Sequence, residues 1–165
     1  MVETTAGKAF LPYAYPLGRR CRMTKILDRF EYPEGLLYSA DHLWVKKEDG
    51  SVRVGVTDMA QQAAGAILFV RLMPKGRQVE SGRPLGTMET GKWVGPLKSP
   101  LSGTVLESNE ALKTQPKLLN EDPYGKGWLA VLQPSKLDDE LKNLMTDLAQ
   151  IEKFTQAELP KLFKK

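Results

Sequence analysis

Apolar positions alternate closely through the middle of the chain and open to helical spacing at its two ends. Valines at 52, 54 and 56 alternate as a half-buried strand requires, and Asp49-Gly50 just before them is a hairpin signal. That pairs Asp41–Lys47 with Val52–Val56, with Leu36-Leu37-Tyr38 ahead of them. Thr57 or Asp58 caps a short helix that Gly65 stops. Ala66–Leu72 reads as a strong strand. Gly76, Val79, Gly82 and Leu85 then recur every three residues, the rhythm of turns alternating with very short strands. Ser102–Leu106 and Trp128–Leu132 are further strands, separated by the polar, turn-rich loop 120–127. Many short strands punctuated by Gly and Pro predict a small barrel or sandwich.

The ends read differently. Residues 1–18 read as an irregular, extended arm, with Phe10, Tyr13 and Tyr15 among Pro12, Pro16 and Gly18. Met23, Ile26, Leu27 and Phe30 fall at i, i+3, i+4 and i+7, which predicts a short helix. Its other face is basic (Arg22, Lys25, Arg29), and Pro33 and Gly35 end it. Two roles stand open for this helix: packing on the body with a solvated face, or docking a partner. Leu137, Leu141, Leu144, Leu148 and Ile151 predict a C-terminal helix on which Ser135 and Asp138 make a capping box. Thr155 with Glu158 caps a second, short one carrying Leu159, Leu162 and Phe163. The expected division is an extension over 1–35, a β body over 36–134 and helices over 135–165.

Composition narrows the class. The 165 residues are 41% hydrophobic and 27% charged, as in a soluble globular protein. No apolar run approaches a membrane span of roughly 18 residues, and no signal pattern is evident at the N-terminus. Residues 1–27 hold five Lys/Arg and one acid but no Ser, so a transit helix is not obvious. The expected compartment is the cytoplasm. The net charge of +4 is matched by residues 19–29 alone, where five basic residues face Asp28. The remainder is near neutral, which argues against a nucleic-acid surface running through the fold. One Cys and one His leave no internal disulfide and no Cys/His metal cluster. For Cys21 two readings stand: a small residue without a role, or a thiolate favoured by Arg19, Arg20 and Arg22.

The candidate chemistry lies in Leu85–Pro100. Two strand-like runs flank Glu89-Thr90-Gly91-Lys92, so Lys92 stands at a hairpin tip, with Gly91 permitting the tight turn. Trp93 and Val94 follow, and Pro96 and Pro100 restrict how the second strand pairs. Alone, this is an ordinary turn with a solvated lysine.

Its surroundings resemble the H protein of the glycine cleavage system. His42-Leu43-Trp44-Val45 resembles that family's His-Glu-Trp-Val, and Val54–Gln61 its Val-Gly-Ile-Thr-Asp-Tyr-Ala-Gln. Asn109–Leu112 and Asn120–Trp128 follow it closely, and Ser99–Gly103 resembles Ala-Pro-Val-Ser-Gly. Glu89-Thr90-Gly91-Lys92 falls where the family has Glu-Ser-Val-Lys. The resemblance implies a mainly β fold with flanking α: a flattened hybrid barrel-sandwich of the lipoyl/biotinyl carrier type, with C-terminal helices. It implies lipoate joined covalently to Lys92, and a carrier with no active site of its own. Glu89, Thr90, Gly91 and Trp93 become the recognition hairpin. Trp93, Leu37 and His42 are candidates to line an apolar groove for the arm, while His42 and Trp44 also fit as core aromatics. Implied partners are a lipoate ligase or lipoyl transferase, dihydrolipoamide dehydrogenase, and either glycine decarboxylase with aminomethyltransferase or another complex.

Three departures bear on that last choice. Small or polar residues usually follow the family's lysine, whereas Trp93-Val94-Gly95-Pro96 is bulky and stiff. The first 35 residues have no counterpart, and the chain is basic where H proteins are usually acidic. These features resemble the H-protein-like lipoate-binding proteins of heterodisulfide-reductase-like sulfur oxidation. That role is the leading expectation, ahead of an aminomethyl carrier in glycine cleavage and an unlipoylated docking module. A biotin carrier fits poorly, because that family flanks its lysine with methionines.

Overall fold

The computed structural model describes residues 23–163. The arm expected over 1–18, Cys21, and Arg19, Arg20 and Arg22 lie outside the described residues. In order, the chain forms β1 (Met23–Ile26), β2 (Phe30–Pro33), β3 (Leu37–Tyr38), β4 (Leu43–Glu48), β5 (Ser51–Val56), α1 (Asp58–Ala64), β6 (Ile67–Leu72) and β7 (Gln78–Val79). There follow β8 (Pro84–Thr90), β9 (Val94–Lys98), β10 (Gly103–Ser108), α2 (Leu118–Glu121), β11 (Ala130–Pro134), α3 (Leu137–Glu140) and α4 (Leu148–Leu162).

Two antiparallel sheets carry the body. One has the order β3-β4-β5-β11-β10-β7, the other β6-β8-β9. Their inner residues, among them Val45, Val52, Val54, Ile67, Leu85, Leu101, Leu129 and Leu132, form one buried cluster. The mainly β barrel-sandwich with flanking helices is therefore realised as two sheets closing on one core. Pro96 is accommodated because β9 is an edge strand, where a missing N–H costs no ladder bond. Gly55 is dictated by Trp44, its cross-strand partner. A Cβ at Gly55 would lie 2.5 Å from the indole, which is itself buried and donates from Nε1 to the Pro123 carbonyl at 3.0 Å.

The N-terminal helix is not formed. Met23–Ile26 and Phe30–Pro33 make an antiparallel hairpin instead. Leu27 and Asp28 both take left-handed φ, 56° and 53°, and the Arg29 N–H donates to the Ile26 carbonyl at 3.1 Å. Such a turn matches the twist of paired strands. Ile26, Phe30 and Tyr32 point inward and are buried, whereas Met23 and Leu27 are exposed. The burial follows a strand period, not the helical one.

The continuous C-terminal stripe is also interrupted. After α3 and a 3-10 turn at Leu141–Asn143, the chain extends, and Met145 pairs with Tyr38 at the sheet edge. Pairing an open edge satisfies backbone groups that a longer helix would leave free. Ser135 and Asp138 form no capping box, since the N-cap position of α3 is Lys136 and no side chain caps the helix. Glu140 instead accepts from both the Ser102 N–H and hydroxyl, at 2.7 and 2.6 Å. Thr155 does not begin a second helix. It is fully buried inside α4, where its hydroxyl donates to Ile151 and stands 3.1 Å from the Tyr32 hydroxyl. Hairpin β1-β2 and α4 together build a second apolar cluster around Phe30, Tyr32, Trp44, Met59 and Ile151.

Candidate functional site

Lys92 occupies the exposed tip between β8 and β9. The turn is held by a side chain. Thr90 is buried, and its Oγ1 accepts from the backbone N–H of Lys92 at 3.1 Å and of Trp93 at 3.2 Å, while the Thr90 N–H donates to the Trp93 carbonyl at 2.9 Å. Gly91 does not supply the turn through a left-handed conformation, because it is not among the glycines with positive φ. A Cβ there would meet nothing within 4 Å. The turn chemistry expected of Gly91 thus belongs to Thr90, a local hydroxyl-to-backbone motif that the sequence also carries.

The Lys92 side chain lies back over the end of α1, with Cε and Nζ 3.9 Å from where a Gly65 Cβ would be. Gly65 ends that helix with φ of 74°, and Asn120 fixes the segment. Its amide donates to the Gly65 carbonyl at 2.8 Å, and its carbonyl oxygen accepts from Ile67 at 3.1 Å. Nothing in the expected site pointed to Asn120 as the residue that holds the ground beneath Lys92.

Beside the hairpin runs a groove of about 390 Å³. One wall is the small face of α1, Ala60, Ala63 and Ala64, spaced i, i+3 and i+4. Core residues Leu43, Val56, Met88 and Leu97 form its floor. Trp93 and Pro96 line it from the hairpin, and Lys161 and Leu162 line it from the end of α4. The Trp93 ring folds over Gly95, whose Cβ would fall 2.1 Å from it.

Of the other expected residues, His42 lines this groove and Leu37 does not, since it packs in the main core opposite Val45. Glu89 points away from the groove. It is exposed in the cross-strand row Phe69, Glu89, Val94, whose two apolar members are 65% and 67% exposed. His42 adopts φ of 68°, an uncommon conformation for a residue with a Cβ. Its Nε2 is 2.9 Å from Glu158, and its buried Nδ1 has no hydrogen-bond partner among the described residues. Glu158 also accepts from Lys161 at 2.9 Å. Partial burial pushes the Glu158 carboxyl upward, but hydrogen bonds from Lys161 and His42 outweigh it and hold the carboxyl below its ordinary value. The arrangement offers one accessible amine on a rigid tip, next to a mostly apolar trough with a charged end.

The family model described as "Glycine cleavage H-protein" matches residues 36–158. The "Glycine cleavage system H protein 2" of Aquifex aeolicus is 43% identical over 75% of this chain and 78% of its own length. The "Probable glycine cleavage system H protein" of Thermococcus gammatolerans is 48% identical over 70% and 87%. A crystal structure of a glycine cleavage system H protein from Mycobacterium marinum, at 39% identity, superposes with a TM-score of 0.61 over 63% of this chain and 87% of that one. The chain belongs to the glycine cleavage H-protein family, whose members carry lipoate covalently on a lysine.

Proposed function

We propose that this protein is a carrier subunit of glycine cleavage that presents a lipoyl arm on Lys92. The observation that carries this reading is the single lysine at the tip of a rigid hairpin, beside a groove that begins at Trp93. An amide at Nζ removes the lysine charge, and the attached dithiolane supplies a reversible disulfide–dithiol pair. The residues present fit such a group. Lys92 is exposed, and the groove offers methyl and aromatic surface within one residue of it. Thr90 fixes the attachment point, Glu89 is the recognition carboxylate for the attaching enzyme, and Trp93 and His42 border the arm's resting place. Gly91 leaves the turn uncrowded for that enzyme. The proposed organisation is an extension over 1–35, a carrier body over 36–134 and a C-terminal segment over 135–165.

The implied partners are a lipoate ligase or lipoyl transferase, glycine decarboxylase, aminomethyltransferase and dihydrolipoamide dehydrogenase. Glycine cleavage replaces sulfur oxidation as the leading reading because the similar proteins carry glycine cleavage names. The sulfur-oxidation reading, with a heterodisulfide-reductase-like complex, is kept second on one observation. Trp93 and Pro96, the bulky residues after the lysine, wall the groove and would alter what the arm can carry into it.

The test has two stages. Incubation with a lipoate ligase should add one lipoyl mass, lost in Lys92→Ala. Survival of the added mass in Lys92→Ala, or its absence in the wild type, defeats the attachment. The lipoylated chain should then support glycine-dependent carbon dioxide release with glycine decarboxylase, aminomethyltransferase and dihydrolipoamide dehydrogenase. No release above the Lys92→Ala background overturns the glycine reading in favour of the second.

A further inference from the structure

Residues 23–35 and 159–163 are described by the structure but lie outside the stretch that the family model matches. They pack on one another beside the groove. Leu159, Leu162 and Phe163 rest on the cluster that contains Ile26 and Phe30, and the Phe30 and Phe163 rings are 5.6 Å apart. Lys161 and Leu162, from the same turn of α4, also line the groove. The α4 part of the groove wall is thus made by residues beyond the family match and braced by the N-terminal hairpin.

Arg29, at the hairpin turn, joins the two sides. Its guanidinium carbon lies 4.2 Å from the centroid of the Phe163 ring at the end of α4. Its Nε donates to Gln62 of α1 at 3.2 Å, and the Gln62 amide donates back to the Arg29 carbonyl at 3.3 Å. Ala60, Ala63 and Ala64 on that same helix α1 line the groove as well. One planar cation therefore ties the helix that supplies one part of the groove wall to the end of α4 that supplies another. A lysine cannot reproduce this, having a point charge and no fixed fork to stack and donate at once.

We propose that Arg29 is a positioning residue that sets the separation of the groove walls, so that a dithiol arm borne on Lys92 is retained against Leu162 and its sulfurs are shielded from solution reagents. The proposal rests on the reading of Lys92 as the attachment site. Release of the arm to a partner enzyme then requires the α4 wall to yield, and the N-terminal hairpin governs how readily it does.

The test uses the full chain lipoylated on Lys92, with the modification confirmed by intact mass. After reduction with a phosphine, iodoacetamide is added; each arm thiolate displaces iodide and forms a carbon–sulfur bond. Alkylation is followed at the Lys92-bearing peptide, which keeps Cys21 out of the reading. The wild-type arm should react several-fold more slowly than free dihydrolipoamide. Arg29→Ala, Arg29→Lys and Leu162→Ala should each recover most of the difference, while Lys25→Ala on the same hairpin should keep the slow rate. Wild-type alkylation at the free rate overturns the proposal, as does an Arg29→Ala rate equal to wild type. If Arg29→Ala fails to fold, Leu162→Ala decides by the same readout. Absence of the lipoyl mass at the outset defeats the attachment reading instead, and is seen before any alkylation.

Discussion

The hydroxyl of Thr90 accepts from the backbone N–H of Lys92 at 3.1 Å, so the residue that presents the lysine is the one two positions before it. Thr90 also accepts from Trp93, and its side chain is buried under the turn. Thr90→Val keeps the shape and removes the acceptor. We expect a loss of about 1 kcal/mol in unfolding free energy and a larger proportional fall in the initial rate of lipoyl attachment, because the tip loses its fixed geometry. Thr90→Ser should retain most of both. Urea unfolding and timed intact-mass measurements on the two variants check this, and equal attachment rates for wild type and Thr90→Val would remove the presenting role.

Glycines 91 and 65 stand on either side of Lys92 and should respond oppositely to alanine. Gly91 has open space and is not in the left-handed region, so Gly91→Ala should be neutral or stabilise by up to about 1 kcal/mol through the unfolded state. Gly65 has φ of 74° at the end of α1, where alanine is strained, and Gly65→Ala should cost about 1 kcal/mol or more. Thermal unfolding of both variants measures the contrast.

The body of the fold was legible because its signals were local. Alternating Val52, Val54 and Val56, the Asp49-Gly50 turn and the Thr57 cap each act within a few residues, and each is present. The N-terminal hairpin was misread because Met23, Ile26, Leu27 and Phe30 satisfy a helical spacing that tertiary burial overrides. Its turn places Leu27 in a left-handed conformation, without the Gly or Asn that would announce it. The break in the C-terminal stripe was equally hidden, since it depends on Tyr38 offering an edge more than one hundred positions away. At the site, the lysine, its hairpin and the groove contacts of Trp93 and His42 could be read from sequence. The α1 alanines and the end of α4 could not, because they reach the groove only through the tertiary fold.

Glu158 should give acid sensitivity of a definite sign. Its folded carboxyl sits below the ordinary value of 4.5, held there against partial burial by Lys161 and His42. The unfolded chain therefore takes up a proton at higher pH than the folded one. This contribution to stability is fully present above pH 4.5 and is lost as pH falls through the lowered folded value. Glu158→Gln should be less stable than wild type near neutrality, and the gap should close on acidification. Urea unfolding between pH 7 and pH 3 checks it; a gap that widens toward acid would contradict the assigned direction.

The small face of α1 is the feature on which the groove depends. Ala60, Ala63 and Ala64 line the groove with small side chains, and a larger residue there would fill part of it at a wall to which Lys92 does not contribute. Ala63 is partly buried at the wall, so Ala63→Leu can project into the trough with little disturbance of the core beneath it. We expect its unfolding free energy to stay within about 1 kcal/mol of wild type, far from the cost of overpacking a closed core. Attachment of the lipoyl group should proceed at close to the normal rate, because Thr90 and the exposed tip are unchanged. The dihydrolipoyl sulfurs should nevertheless alkylate several-fold faster, since the arm is denied its resting place. Attachment and shielding separate only if the tip and the groove are distinct parts of one site. A variant that slows attachment while leaving alkylation untouched would show instead that α1 serves the attaching enzyme and not the arm.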